Sequence, residues 1–322
     1  MRVWLLVFLL VLPTWAQAPR GDSRLPAGIW GWSISRPDGS EVRVYANVAE
    51  VSSGRPLAVW MQGSGYHSLF VERDGVLRVG PLGLIVEALG DGVQVVAVEK
   101  RGVPLGAEGS GGALEAPEEY HAHATLDGRA DDVLLLLETL GSEGRLPVRL
   151  LAIGHSEGAV VAARVAARSA AVSHLAFLSG GGASQLWDFQ LQIRKSEGSE
   201  REKEAEIDRL WSEWAEIKAD PKSTTRMLMG HAFRRWSSYF ANPPLESLLA
   251  TRAKVLMVHG SEDTAVPVES ADLAAVELDR AGRAYEYLRL PGADHSLRTP
   301  DQTSPPFLPL GGILRRFFLD PG

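Results

Sequence analysis

Six short apolar runs, rich in β-branched residues, recur along the chain at 57–61, 93–98, 148–153, 175–178, 254–258 and 285–290. Strands that are apolar throughout are those buried on both faces, and such strands separated by helices make a mostly parallel sheet covered on both sides. Helical patterns fall at 81–89, 126–140, 157–168, 268–281 and 309–318. Before them, 30–34 and 41–46 flank Arg36-Pro37-Asp38-Gly39-Ser40 and read as a β-hairpin. One stretch breaks the rhythm. Residues 184–250 are charged and carry Trp187, Trp211, Trp214, Trp236, Tyr239 and Phe240. A structureless loop of that length is uncommon, so the stretch is expected to form a helical cap inserted over the sheet edge. The expected organisation is an α/β core over 25–183 and 251–322, with the cap between.

The first residues read as a targeting signal. Arg2 precedes the apolar run 3–12, followed by Pro13-Thr14-Trp15-Ala16-Gln17-Ala18. This is the order of a secretory signal peptide, and the run is too short for the ~20 residues of a membrane span. Residues 1–16 are therefore set apart as a leader. Cleavage is expected after Ala16, because cutting after Ala18 would leave Pro19 at the new terminus. The expectation is a periplasmic or secreted protein with no stable membrane span once the leader is removed. The chain has no cysteine, so its stability must come from packing, and thiol nucleophiles and cysteine zinc sites are excluded. A formal charge of −7 argues against nucleic-acid binding, which usually shows a basic face.

Gly154-His155-Ser156-Glu157-Gly158 matches G-x-S-x-G, in which a serine occupies a strained turn between a strand and a helix. The context fits. Val148-Arg149-Leu150-Leu151-Ala152-Ile153 reads as the strand before it, and the small-residue run 159–167 as the helix after it. A serine hydroxyl needs a base, and the base needs a group to orient it. Asp263 lies on the loop after the run at 254–258, and His295 follows the last run. Ser156, Asp263 and His295 thus stand in the order Ser, Asp, His, each on a loop after a strand, where open parallel sheets carry their sites. Glu262 is the alternative to Asp263, whereas Asp294 adjoins His295 and is poorly placed to face it. His121 and His123 lie near several carboxylates but lack a metal-ligand spacing, and no metal or cofactor is expected.

These residues carry a resemblance. The chain resembles the α/β-hydrolase superfamily over about residues 41–320, and Arg235-Trp236, Tyr239 and Asn242-Pro243-Pro244-Leu245 resemble the cap of bacterial esterases and related peptidase-like members. The resemblance implies a serine hydrolase with Ser156 as nucleophile, His295 as base and Asp263 as acid. An oxyanion hole needs two backbone N–H donors. Glu157, opening the helix, would give one. By resemblance Gly63 or Ser64, in Gln62-Gly63-Ser64-Gly65, would give the other, although the family's His-Gly wording is replaced here. Trp236 and Tyr239 are candidates for an apolar substrate pocket or for cap core. The expected substrate is a small-molecule ester with a short to medium acyl group. A peptidase or amidase, or a binding protein without turnover, are the alternatives.

Overall fold

The computed structural model describes residues 24–108 and 115–320. The expected leader, residues 1–16, and its expected cleavage site lie outside the described residues. Eight strands form the main sheet: β1 (Trp30–Ser35), β2 (Glu41–Ala46), β3 (Leu57–Met61), β4 (Gln94–Val98), β5 (Leu150–His155), β6 (His174–Leu178), β7 (Lys254–Gly260) and β8 (Tyr285–Leu290). Their spatial order is β1-β2-β4-β3-β5-β6-β7-β8. Only β2 opposes its neighbours; the other pairings are parallel.

The expected doubly covered sheet is what the side chains build. Along β3, Leu57, Val59 and Met61 enter one core while Ala58 and Trp60 enter the other. The same alternation divides Leu150 and Ala152 from Leu151 and Ile153 on β5, and Val255 and Met257 from Leu256 and Val258 on β7. Side chains leave a strand on alternate faces, so an unbroken apolar run supplies two cores at once.

Among the described residues ten helices complete the architecture: α1 (Pro81–Leu89), α2 (Glu118–His123), α3 (Leu126–Ser142), α4 (Glu157–Arg168), α5 (Gln185–Lys195), α6 (Glu200–Ala219), α7 (Phe233–Phe240), α8 (Pro244–Ala250), α9 (Val268–Arg280) and α10 (Gly311–Leu319). Leu82, Ile85 and Leu89 of α1, with Leu314, Phe317 and Phe318 of α10, cover one face. Helices α3, α4, α8 and α9 cover the other. Among the described residues no helix is long and apolar enough to cross a membrane.

The fifth strand starts later than expected, and one hairpin was not expected. Val148 is 92% exposed, so the fifth strand begins at Leu150 and runs to His155, directly against the turn. A two-stranded hairpin, Phe70–Arg73 with Val76–Val79, turns on Asp74-Gly75, both at positive φ. That Asp-Gly pair is a hairpin signal the sequence carries openly.

The stretch between β6 and β7 holds α5 to α8 and a short hairpin, Met227–Leu228 with His231–Ala232. Its helices are cut by local rules. Ser199 and Glu202 form a reciprocal capping box at the start of α6. Helix α7 has two working faces set by the 3.6-residue period. Phe233, Trp236 and Phe240 face a small core shared with Leu186, Leu210 and Ile217, whereas Tyr239 faces the main core. Leu248 of α8 also belongs to the main core, packed on α4, so the last helix of the inserted stretch is part of the body.

Arg149 closes the far end of the molecule. Its Nη1 donates to the carbonyls of Phe318, Leu319 and Asp320 at 2.9, 2.6 and 3.2 Å, satisfying groups that the end of α10 leaves unpaired. Arg149→Ala is expected to lower unfolding free energy by about 1–2 kcal/mol in urea titration without altering the rest of the sheet. An unchanged midpoint would mean that water caps this helix equally well.

Candidate active site

Ser156 lies between β5 and α4 with φ 57° and ψ −128°, in a region that non-glycine residues rarely enter. Such a conformation costs on the order of 1–3 kcal/mol and needs surrounding structure to hold it. Here Ser156 N–H donates to Leu178 O at 2.9 Å and Ala159 N–H donates to Ser156 O at 2.9 Å. The two motif glycines are steric requirements. A Cβ on Gly154 would lie 2.0 Å from Gly158 O, and one on Gly158 would lie 2.0 Å from Met61 O. The elbow is thus pressed against the end of β3 at a spacing that no side chain permits.

Asp263 and His295 meet from different loops, His295 Nδ1 lying 2.8 Å from Asp263 Oδ2. The Asp263 side chain is fully buried, whereas 26% of the His295 side chain reaches solvent. Asp263 Oδ1 accepts from Ala265 N–H at 2.9 Å and Val266 N–H at 2.8 Å, and His259 Nε2 is 3.2 Å from Oδ2. Burial pushes this carboxyl up, but the hydrogen bonds from His259 and His295 outweigh it and hold the group well below the usual carboxylate range. The rival acids are otherwise engaged or displaced. Asp294 Oδ1 accepts from the N–H groups of Ser296 and Arg298 and shapes its own loop, and Glu262 is exposed. His259, at strand position four before Asp263, is a partner that no sequence pattern marks.

His155 ties the elbow to the histidine loop. Its Nε2 lies 2.7 Å from His295 O, and since a carbonyl only accepts, that nitrogen carries the proton. Burial and the neighbouring His295 push His155 down to about 4, so it is neutral at pH 7. Its ring centroid is 4.8 Å from that of His295. No hydrogen bond joins the Ser156 hydroxyl to His295 among the described residues. Such contacts are commonly loose without substrate and tighten when it binds.

Gly63 stands beside Ser156: a Cβ built on it would lie 3.5 Å from Ser156 Cβ and 4.0 Å from Oγ. Ser64 is exposed. Glu157 is the first residue of α4, whose leading N–H groups have no partner within the helix. Its side chain reveals what sequence reading missed. Arg129 of α3 donates to Glu157 Oε1 at 2.5 Å and to Gln62 O at 2.6 Å. Arg235 of α7 pairs with Glu157 Oε2 through Nε at 3.0 Å and through Nη2. Burial pushes the Glu157 carboxyl up, but Arg235, Arg129 and Lys100 together hold it far below its ordinary range. Lys100 is itself pushed down to about 7 by burial and by Arg129, and donates to Gly65 O at 2.6 Å.

The pocket expectation for two aromatics is corrected. Trp236 is 4% exposed, packs on Phe189 and Phe240, and donates its indole N–H to Leu228 O at 2.6 Å. Tyr239 is 1% exposed with the Arg235 guanidinium 4.8 Å from its ring. Both fill cores, because the face of α7 that reaches the elbow is occupied by charge. His121, the first of the two histidines weighed as ligands, is buried beside the Tyr120 ring.

The alpha/beta hydrolase family matches residues 59–304. Among solved structures the chain is similar to a puromycin-hydrolysing peptidase of Mycobacterium tuberculosis, with TM-score 0.57 and 17% identity over 91% of this chain and 40% of that one. It is similar to the acylaminoacyl peptidase of Pyrococcus horikoshii, with TM-score 0.58 and 16% identity over 89% and 41%. Est1E from Butyrivibrio proteoclasticus matches with TM-score 0.53 and 16% identity over 90% and 97%. The chain therefore spans less than half of either peptidase. At these identities the likeness is one of fold. No curated protein matches the sequence.

Burial holds His67, His155, His174 and His231 down to about 4. In the unfolded chain each takes a proton near pH 6.5. Between those values the unfolded state binds more protons, so these groups lower stability as pH falls from about 6.5 to 4. Asp188, pushed up to about 7 by burial, opposes them across that window, and Glu99, also raised by burial, acts in the same opposing sense. His123, which burial also lowers, adds to the four, so the melting temperature is expected to fall below pH 6.5. Imidazole NMR at pH 5 should find these four histidines neutral; a protonated set would contradict their burial.

Proposed function

We propose that this chain, which belongs to the alpha/beta hydrolase family, is a serine hydrolase that cleaves small carboxylic esters with short to medium acyl groups. The observation that carries the reading is the 2.8 Å Asp263–His295 pair on loops adjoining a serine held at φ 57°. In this mechanism Ser156 Oγ attacks the ester carbonyl while His295 Nε2 takes its proton. Asp263 fixes the ring through Nδ1 and stabilises the imidazolium. The oxyanion is received by the N–H of Glu157 and one from the Gly63-Ser64 loop. Collapse expels the alcohol, which takes the proton from His295, and leaves an acyl-enzyme on Ser156. Water, deprotonated by His295, then releases the acid.

The likeness to Est1E supports the ester reading. Est1E corresponds to this chain over 97% of its length, the two peptidases over 40% and 41%. A peptidase or amidase acting on small aminoacyl amides is the second reading, supported by the recurrence of peptidases among the similar folds. Rates on matched chromogenic esters and amides separate the two. Export, read from residues 1–16, belongs to the same proposal, and a mature chain beginning at Gln17 is its mark.

Ser156→Ala is expected to abolish covalent labelling by a fluorophosphonate and to cut ester turnover by at least about 10⁴-fold with the fold intact. Persistent labelling would remove Ser156 from the role, and an unlabelled wild type would favour a binding protein. Asp263→Asn should lower kcat by about 10³–10⁴-fold through the wrong imidazole tautomer, whereas Glu262→Gln should stay within about twofold. The reverse ranking would transfer the acid to Glu262.

A further inference from the structure

Arg129 touches both halves of the expected oxyanion hole without touching the nucleophile. Its Nη2 holds the carbonyl of Gln62 at 2.6 Å and its Nη1 holds the carboxylate of Glu157 at 2.5 Å. The Gln62 carbonyl and the Gly63 N–H belong to one planar trans peptide, in which C=O and N–H point in opposite directions. Fixing the oxygen toward α3 therefore aims the Gly63 N–H the other way. Gly63 is the residue that lies against Ser156.

Two further bonds stiffen the same loop. Gln62 Nε2 donates to His67 O at 2.7 Å, and Lys100 Nζ donates to Gly65 O at 2.6 Å. On the other side, Glu157 carries the amide that opens α4, and its carboxylate is clamped between Arg129 and Arg235. The Arg129 and Glu157 side chains are 9% and 4% exposed, so water does not compete for these bonds.

We propose that Arg129 is a positioning residue for the oxyanion hole, its guanidinium setting the distance and angle between the Gly63 and Glu157 amides. This rests on the serine-hydrolase reading above and adds to it which loop amide serves, Gly63 rather than Ser64. Only arginine suits the task. Its rigid fork reaches two acceptors on two loops at once, whereas a lysine ammonium is a single point on a flexible stem. The demand is strict, since such donors act only within about 0.5 Å of their working positions.

The test compares Arg129→Met and Arg129→Lys with wild type, counting folded active sites by the endpoint of fluorophosphonate labelling. Arg129→Met is expected to lower kcat per titrated site by about tenfold to a hundredfold, with KM within about threefold. The inhibition constant of a trifluoromethyl ketone, which forms a tetrahedral oxyanion on the serine, should weaken in step with kcat/KM. Arg129→Lys, able to keep one bond at a time, should fall between the two. If Arg129→Met does not fold, Arg129→Lys alone decides, and a loss of about threefold to tenfold in kcat with the same parallel in inhibitor binding supports the proposal. A purely structural role would lower the melting temperature and leave kcat per site and inhibitor binding unchanged; that result, or a rise in KM alone, overturns it. Failure of the underlying reading is distinct, because the wild type itself would then neither label nor hydrolyse esters.

Discussion

The structure turns on the contact between the elbow and the end of β3. With Gly158 at Met61 O and Gly154 at Gly158 O, two strands and a helix start meet with no side chain between them. That approach forces the serine into its positive-φ conformation, and the backbone bonds to Leu178 and from Ala159 hold it there. The two cores on either side of the sheet supply the stability that this strain draws on. A larger residue at either glycine would separate β3 from the elbow and release the serine at the same time.

Around this contact the molecule buries charge, which is costly unless every charge is paired and hydrogen-bonded. Glu157 alone could not remain ionised in its surroundings, and Arg129 and Arg235 alone could not be desolvated. Together they offset one another. The surplus of positive charge is eased in two ways: Arg129 and Lys100 each donate to a loop carbonyl, and Lys100 is pushed down to about 7. An assembly of this kind tolerates little rearrangement, because losing one member leaves another buried without compensation. It is suited to holding backbone amides in fixed places.

The same pairing joins the inserted stretch to the body. Arg235 and Tyr239, four residues apart on α7, face the elbow and main core, while Phe233, Trp236 and Phe240 face the insertion's own core. Gln192 of α5 adds a second link, donating to Thr264 O and Ala265 O on the loop that carries Asp263. The insertion is therefore braced against two of the loops that build the site.

Much of this was legible in the residues themselves. Apolar runs determine a doubly covered sheet because side chains must alternate across a strand, and G-x-S-x-G between a strand and a helix determines the elbow because only glycine fits its two close contacts. The order of Ser156, Asp263 and His295 placed all three at the same sheet edge. What the tertiary structure alone decided is which of them meet, and what stands behind them. It separated buried Asp263 from exposed Glu262, brought His259 to the same carboxylate, moved Trp236 and Tyr239 from a pocket wall into cores, and joined Arg129 and Arg235 to Glu157 across 28 and 78 residues. Periodicity and turn chemistry act over a few neighbouring residues and so leave a local trace. An ion pair between distant segments leaves none, since an arginine on a helix reads as solvated surface until packing excludes the water around it.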